Sequence, residues 1–274
     1  MKNQIDHTKR PFHTHLLLTL IYGATLLLLT HIPALNAENG RPDSENAQLY
    51  LPLVVKPLDC GIADASYSSL PIASDPITRP AWDHPDINLA VRGYEEVSAS
   101  LMLVDYGGGT DANAPQLDTL FSPARVPIFT NAYQIYRWDW ACNCRLDLMS
   151  TWPTTLLGMG TSEGDPIHVP DSGYDIGGGN DVMVLYATDN RITLKYTRED
   201  NVVLGYTVHI EDVCVDPALV SLYVTLDAAG RAQLPVLAGG QAFGRALGDE
   251  IKVSIRDTGN FLDPRSRKDW WQNQ

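Results

Sequence analysis

The stretch Glu250-Ile-Lys-Val-Ser-Ile-Arg-Asp-Thr-Gly259 alternates polar and apolar side chains with a period of two. This period is typical of a β-strand, because successive side chains of a strand point to opposite faces. We therefore predict a strand over Glu250 to Arg256, with Glu250 and Lys252 on the same face. An ion pair between these two residues contributes only about 0 to 1 kcal/mol if it is exposed.

Several more short strands are expected from about residue 151 onwards. Short runs of apolar and β-branched residues between turn residues predict them at Val182 to Ala187, Arg191 to Thr197 and Val202 to Ile210. Two hairpin turns separate these strands, at Asp189-Asn190 and at Arg198-Glu-Asp-Asn201.

One helix interrupts this series of strands. Asp216 has the chemistry of a helix N-cap and Pro217 suits the first helical position, which predicts a helix body over Ala218 to Gly230. Glycine and proline are frequent elsewhere, and no long stretch has a helical period. The sequence therefore predicts a mostly β protein with one short helical insertion.

The part of the chain before residue 151 is also predicted to be β-rich. Residues 38–50 are polar and aperiodic, as expected of a flexible lead-in. Residues 51–150 follow as a β-rich region of unknown family, in which strands are predicted at Leu51 to Val55, Ser98 to Tyr106 and Val126 to Trp138. Frequent prolines between residues 58 and 88 are unfavourable for regular strand pairing there.

Residues 1–37 have the pattern of a secretory signal peptide. Basic residues precede the apolar run from Leu16 to Leu29, and small residues end at Ala37. The run is shorter than the roughly 20 apolar residues that cross a bilayer, so we expect cleavage and a secreted protein with no transmembrane span in its mature form.

The charge balance narrows the range of partners. The chain has a net charge of −13, and the segment 1–37 contains three basic residues and one acid, so the mature charge is near −15. Nucleic acids and anionic lipid surfaces attract basic patches, so neither is an expected partner.

All four cysteines lie in the mature chain, where an oxidising compartment favours disulfides. Cys142 and Cys144 are separated by one residue, and a bond between them is unfavourable for ordinary disulfide geometry. We therefore predict that each of them pairs outward, with Cys60 and Cys214.

Three segments carry a pattern of polar residues that deserves chemical interpretation. They are Asp171-Ser-Gly-Tyr-Asp175, Tyr206-Thr-Val-His209 and Glu250 to Gly259. Individually, Asp171 has the chemistry of a turn residue, and Asp175 can accept bonds from loop N–H groups. His209 points away from Val208 and Ile210, so it faces a groove or solvent if those two face the core.

The order and spacing of these segments resemble the lysostaphin-like zinc endopeptidases that cleave peptidoglycan. The resemblance covers residues 165 to 264 and implies a β-sandwich or barrel. In that family the pattern is H-x-G-x-D, a lone His after a strand, and H-x-H. Here Asp171 stands at the first His, Asp175 and His209 are retained, and the last pair is replaced by Glu250 and Lys252.

The resemblance also implies that the metal chemistry is lost. In the family the first His, the Asp and the second His of H-x-H hold zinc, and a protonated lysine has no lone pair for a metal. We therefore predict no metal and no cofactor, a remnant site of Asp171, Asp175, Glu250 and Lys252, and Lys252 near Asp175 in place of the cation. His209 is the acid/base candidate.

Two aromatic clusters offer further binding candidates. Trp138-Asp-Trp140 can act as a platform for a carbohydrate or pack in the core, and packing is the favoured prediction. The C-terminal segment Arg265 to Trp271 can dock on a glycan or fold back on the β core, and folding back is favoured.

Three functions follow from these observations. The leading one is a secreted, non-catalytic binding protein of the cell envelope, whose partner is peptidoglycan, another glycan or an envelope protein. The first alternative is a metal-dependent hydrolase of peptidoglycan or peptides that uses His209 with Asp171, Asp175 and Glu250. The second is a structural exported protein with no small ligand.

Overall fold

Residues 58–274 are described by a computed structural model, and they form a mostly β structure. The predicted signal peptide, the lead-in and the predicted strand at Leu51 to Val55 lie outside these residues. The strands are β1 (Ser68–Pro71), β2 (Tyr94–Glu96), β3 (Phe129–Asp139), β4 (Cys144–Leu148), β5 (Leu156–Gly160), β6 (Pro166–His168), β7 (Val182–Ala187), β8 (Arg191–Lys195), β9 (Tyr206–Glu211), β10 (Val213–Val215), β11 (Gln233–Leu237), β12 (Ala242–Ala246), β13 (Glu250–Asp257) and β14 (Asn260–Leu262). The helices are α1 (Leu89–Arg92), α2 (Pro217–Ala228) and α3 (Arg267–Trp270), with short 3-10 turns at Ala81–Asp83 and Leu117–Leu120.

Two antiparallel sheets contain these strands. The large sheet has the order β1-β11-β7-β8-β9-β13-β5-β3-β2, with β14 paired to β13 and β4 paired to β3. The small sheet has the order β10-β12-β6. Strands from before and after residue 151 therefore pair within one sheet, where β5 lies between β3 and β13.

The predicted mostly β class is confirmed, and so are the main strands after residue 151. β7 has the predicted bounds, while β8, β9 and β13 lie within a few residues of theirs. The helix α2 is confirmed as well. The Asp216 carboxylate accepts the N–H of Ala218 at 2.8 Å, and Pro217 is the first helical residue. These elements follow local signals that tertiary packing reinforces.

The predicted strand at Ser98 to Tyr106 is wrong. Among the described residues 58–274, its only strand-type pairing is a single bridge between Val104 and Ser266. The backbone of Val104 is held there by bonds to the carbonyl of Arg265 and the N–H of Arg267. Met102 is 68% exposed, so the apolar residues of this segment do not form a buried face.

The predicted disulfide pairing is also wrong, although all four cysteines are paired. The bonds are Cys60–Cys214 and Cys142–Cys144. Asn143 adopts a positive φ of 55° in the turn between β3 and β4, and this places the Cα atoms of Cys142 and Cys144 5.3 Å apart. That distance is normal for a disulfide, which the spacing in sequence alone did not suggest.

The C-terminal tryptophans fold back on the core as predicted. Trp271 is fully buried and Trp270 nearly so. The indole N–H of Trp270 donates to the carbonyl of Asp263, and that of Trp271 to the carbonyl of Pro264, both at 2.9 Å. Within residues 58–274, no helix is both long and apolar enough to cross a membrane.

Candidate functional site

The two aspartates of the predicted remnant site lie at the surface, outside the named strands and helices. Asp171 is exposed and forms an isolated bridge with Gln116, and burial together with the Asp181 carboxylate raises its pKa. Asp175 is also exposed, and its carboxylate accepts the N–H of Gly177 at 2.7 Å. Asp175 thus has the local role that turn chemistry predicts, whereas Asp171 pairs through its backbone with Gln116 and Thr119.

Glu250 and Lys252 do lie on one face of β13 and form the predicted ion pair, with N and O 3.3 Å apart. The closest carboxylate to Lys252 belongs to Asp212, however, and not to Asp175. Glu250 accepts hydrogen bonds from Thr130, Asn131 and Tyr133 of β3. The structure therefore brings together Glu250 and Lys252 but neither aspartate of the predicted remnant site.

His209 faces away from Val208 and Ile210, as predicted, but it reaches neither groove nor solvent because it is only 1% exposed. The Thr193 hydroxyl donates to the carbonyl of Ile87 at 2.6 Å, so its oxygen is left to accept from Nδ1 of His209 at 3.1 Å. The proton is therefore on Nδ1. Nε2 has no hydrogen-bond partner in residues 58–274, and burial lowers the pKa of the ring well below its usual value.

Nine side chains form three rows on one face of β8, β9 and β13, and we call this set the polar face. Each row takes one residue from each strand, and the rows are Arg191–Glu211–Lys252, Thr193–His209–Ser254 and Lys195–Thr207–Arg256. Seven of the nine are buried, while Arg191 and Lys252 are partly exposed. The side chains at alternate positions of these strands are apolar and belong to the main core. The sheet therefore has one apolar face and one buried polar face.

The segment before α1 covers part of the polar face. Ile87 accepts the Thr193 hydroxyl, and Asp86 accepts a guanidinium N–H of Arg256 at 3.0 Å. Asp86 also pairs with Arg92 of α1, so two buried guanidinium groups share one carboxylate. Burial acts to raise the pKa of Asp86, but the two arginines bring it below its usual range.

These residues do not fit the zinc that lysostaphin-like enzymes hold. Besides burial, the positive charges of Arg256 and Arg92 lower the pKa of His209, and the Asp86 carboxylate acts in the opposite direction. Within residues 58–274, no group of three or more His, Cys, Asp or Glu side chains is placed to hold a metal. A dication beside His209 would be repelled by the guanidinium groups of Arg92 and Arg256 and by the buried ammonium group of Lys195 on the same face of the sheet.

A surface groove passes over Trp152, and sequence reasoning did not identify it. One cavity of about 420 Å³ is lined by Trp152, Phe261 and Leu262 together with the arginines of this region. A second cavity of about 450 Å³ shares Trp152 and Leu262 and continues past Tyr206 and Trp270. We call the two adjoining cavities the Trp152 groove.

Several contacts hold the aromatic wall of the groove in place. Tyr106 packs edge-on against Trp152 with ring centroids 5.0 Å apart, and the Tyr106 hydroxyl donates to Asp263 at 2.8 Å. Phe261 stacks on the ring of His209 with centroids 6.0 Å apart. The groove and the polar face thus meet at Phe261 and at Arg256, which belongs to both.

The neighbourhood of Trp152 in sequence, Ser150-Thr-Trp-Pro-Thr154, has no periodic pattern and no motif. Its partners Tyr106, Phe261 and Leu262 are distant in sequence, so only the folded chain brings them together. Comparison with known protein families, with curated proteins and with solved structures finds no match to the chain.

Proposed function

We propose that this chain is a non-catalytic binding protein of the cell envelope that holds a saccharide chain in the Trp152 groove. The observation that carries the proposal is the pair of adjoining cavities that share Trp152 and Leu262. Each cavity lies within the range of about 300 to 1,000 Å³ that is typical of small-ligand sites.

The chemistry of the groove suits a sugar. Trp152 is partly exposed and offers a rigid apolar surface against which the C–H groups of a sugar ring can pack. Polar side chains of both cavities surround it. They are Thr151 and Asn260 among others in the first cavity, and Thr110, Lys268 and the three aspartates Asp111, Asp257 and Asp269 in the second. An aromatic platform with a few convergent polar groups gives both affinity and orientation.

A location outside the cytoplasm is part of the proposal. The two disulfides within residues 58–274 are typical of oxidising compartments. The signal peptide predicted over residues 1–37 gives the same location. The acidic composition favours a ligand that carries no phosphate backbone.

Descent from a lysostaphin-like scaffold is also part of the proposal, and it accounts for a histidine kept inside a sheet without metal ligands around it. The alternative of a metal-dependent hydrolase has less support. His209 is 1% exposed, and its hydrogen-bond partner is a threonine hydroxyl rather than a carboxylate. A general base needs to lie within reach of the proton that it abstracts.

We expect Trp152→Ala to weaken binding of soluble peptidoglycan glycan strands, from which the peptides have been removed, by at least about fivefold, because each aromatic stacking contact contributes about 1 to 3 kcal/mol. Isothermal titration calorimetry of the purified mature protein measures this change. Trp152→Phe should keep most of the affinity.

The matched control is Trp140→Ala. Trp140 is 53% exposed rather than packed in the core as predicted, its ring contacts that of His84, and it lines neither cavity of the groove. It should leave the affinity unchanged. Equal losses in the two variants, or no binding of the strands by the wild type, would contradict the proposal.

A further inference from the structure

The arginines of the first cavity suggest the charge of the ligand. Arg92, Arg137 and Arg256 line it, and no aspartate or glutamate does. This is unusual on a chain whose net charge is −13. A cavity with one sign of charge and low-dielectric walls concentrates ligands of the opposite sign.

The charges around this cavity do not cancel. Arg92 and Arg256 are nearly buried, with side chains 7% and 4% exposed, and they share the single carboxylate of Asp86. These three groups therefore retain one positive charge. Arg137 pairs with Asp147, which is 86% exposed and lies at the solvent side, so this pair is weak.

Both buried guanidinium groups are held in fixed positions. Arg256 lies over the Phe261 ring at 4.3 Å and Arg92 lies over it at 5.5 Å. Backbone carbonyls also orient them, since Nε of Arg92 donates to Pro85 at 2.9 Å and Nε of Arg256 donates to Gly259 at 3.0 Å. Such a preorganised charge costs little to align when an anion arrives.

We propose that this cavity binds the carboxylate of an acidic sugar, with the sugar ring against Trp152. The inference rests on the proposed function and specifies its ligand. A single retained positive charge complements a monoanion, and guanidinium groups match carboxylate geometry. The exposed Arg137 supplies a contact on the solvent side of the cavity.

Two kinds of acidic sugar carry this group, namely the lactyl sugar of peptidoglycan and the uronic acids. The probes are glycan strands freed of peptide and trigalacturonate, each compared with its own methyl ester by calorimetry. We expect at least one of the two acids to bind about tenfold or more tightly than its ester. The acid that binds identifies the source of the carboxylate.

Arg137→Gln tests the assignment to this cavity. It should weaken binding of the acid by about fivefold and leave binding of the ester unchanged. Arg267→Gln is the matched control, because Arg267 forms a similar exposed pair, with Asp105 at 3.0 Å and 45% side-chain exposure, and does not line the groove.

Three outcomes would overturn the inference. They are equal binding of acid and ester, equal effects of Arg137→Gln and Arg267→Gln, and binding of an acidic dipeptide without binding of either acidic sugar. If acid and ester bind equally but Trp152→Ala still weakens saccharide binding, the proposed function is supported and only the acidic ligand is contradicted. If neither the acids nor their esters bind, the proposed function itself is contradicted.

Discussion

Replacement of Lys195 by methionine should stabilise the protein by about 2 to 3 kcal/mol at pH 7. The Lys195 side chain is fully buried, and its Nζ has no hydrogen-bond partner in residues 58–274. Burial lowers its pKa from 10.5 to about 8, against the attraction of Glu199 and Asp257. Methionine has a similar volume and carries no charge that needs water.

The pH dependence of this gain has a definite sign. A base whose pKa is lower in the folded state loses stability as the pH falls from its unfolded pKa towards its folded pKa. The cost of Lys195 is therefore complete below pH 8 and disappears as the pH rises towards 10.5. Urea denaturation at pH 7 and pH 10 should show that the advantage of Lys195→Met shrinks at the higher pH.

Lys252→Met is the control for this experiment. Lys252 lies on the same face, but it pairs with Asp212 and Glu250, and these carboxylates raise its pKa although burial opposes them. Its replacement should destabilise the protein. If Lys195→Met and Lys252→Met change the free energy of unfolding in the same direction, our description of the polar face is wrong.

Replacement of Asp86 by asparagine should destabilise the protein by about 3 to 5 kcal/mol. The substitution keeps the size of the side chain and removes the one carboxylate that Arg92 and Arg256 share. Two buried guanidinium groups then remain uncompensated beside Phe261 and His209. Denaturant titration followed by far-UV circular dichroism measures the loss.

Asp147→Asn is the matched control, because it removes the carboxylate of an exposed arginine pair in the same region. It should change stability little, since exposed ion pairs contribute about 0 to 1 kcal/mol. A small effect of Asp86→Asn would mean that water or another group compensates the two arginines, and the cavity would then lack its fixed positive charge.

Local sequence signals were sufficient for the framework of the fold. Alternation identified β13, a continuous apolar run identified β7, and cap chemistry at Asp216 and Pro217 identified α2. The burial of Trp271 followed from the cost of exposing an indole pair. Each of these features depends on residues that are neighbours in the chain.

Other features depend on backbone conformation or on contacts between residues that are far apart in the sequence. The spacing of Cys142 and Cys144 argued against a bond between them, and only the turn at Asn143 brings their Cα atoms to 5.3 Å. Ser98 to Tyr106 has apolar residues but finds its partner in the C-terminal segment, where only one bridge forms. The direction of His209 was predictable from strand alternation, but its burial requires Ile87 and Phe261.

The candidate site was the least predictable part. Motif positions drew attention to Asp171 and Asp175, whereas the groove is built from Trp152 and Arg137, which belong to no motif, and from Phe261, which the family resemblance covers without giving it a role. Polar residues in alternate positions of β8, β9 and β13 are ordinary for exposed strands, and a single sequence does not show that a second layer covers them. The resemblance to lysostaphin-like enzymes remains a prediction.

The most direct test of saccharide binding in the Trp152 groove is the set of indole N–H signals in a ¹⁵N–¹H correlation spectrum. The chain has six tryptophans, and single Trp→Phe variants assign their signals. On titration with peptide-free glycan strands, we expect the Trp152 signal to move most and to saturate while that of Trp140 stays in place. Movement of the Trp140 or Trp82 signal with that of Trp152 unchanged would contradict it.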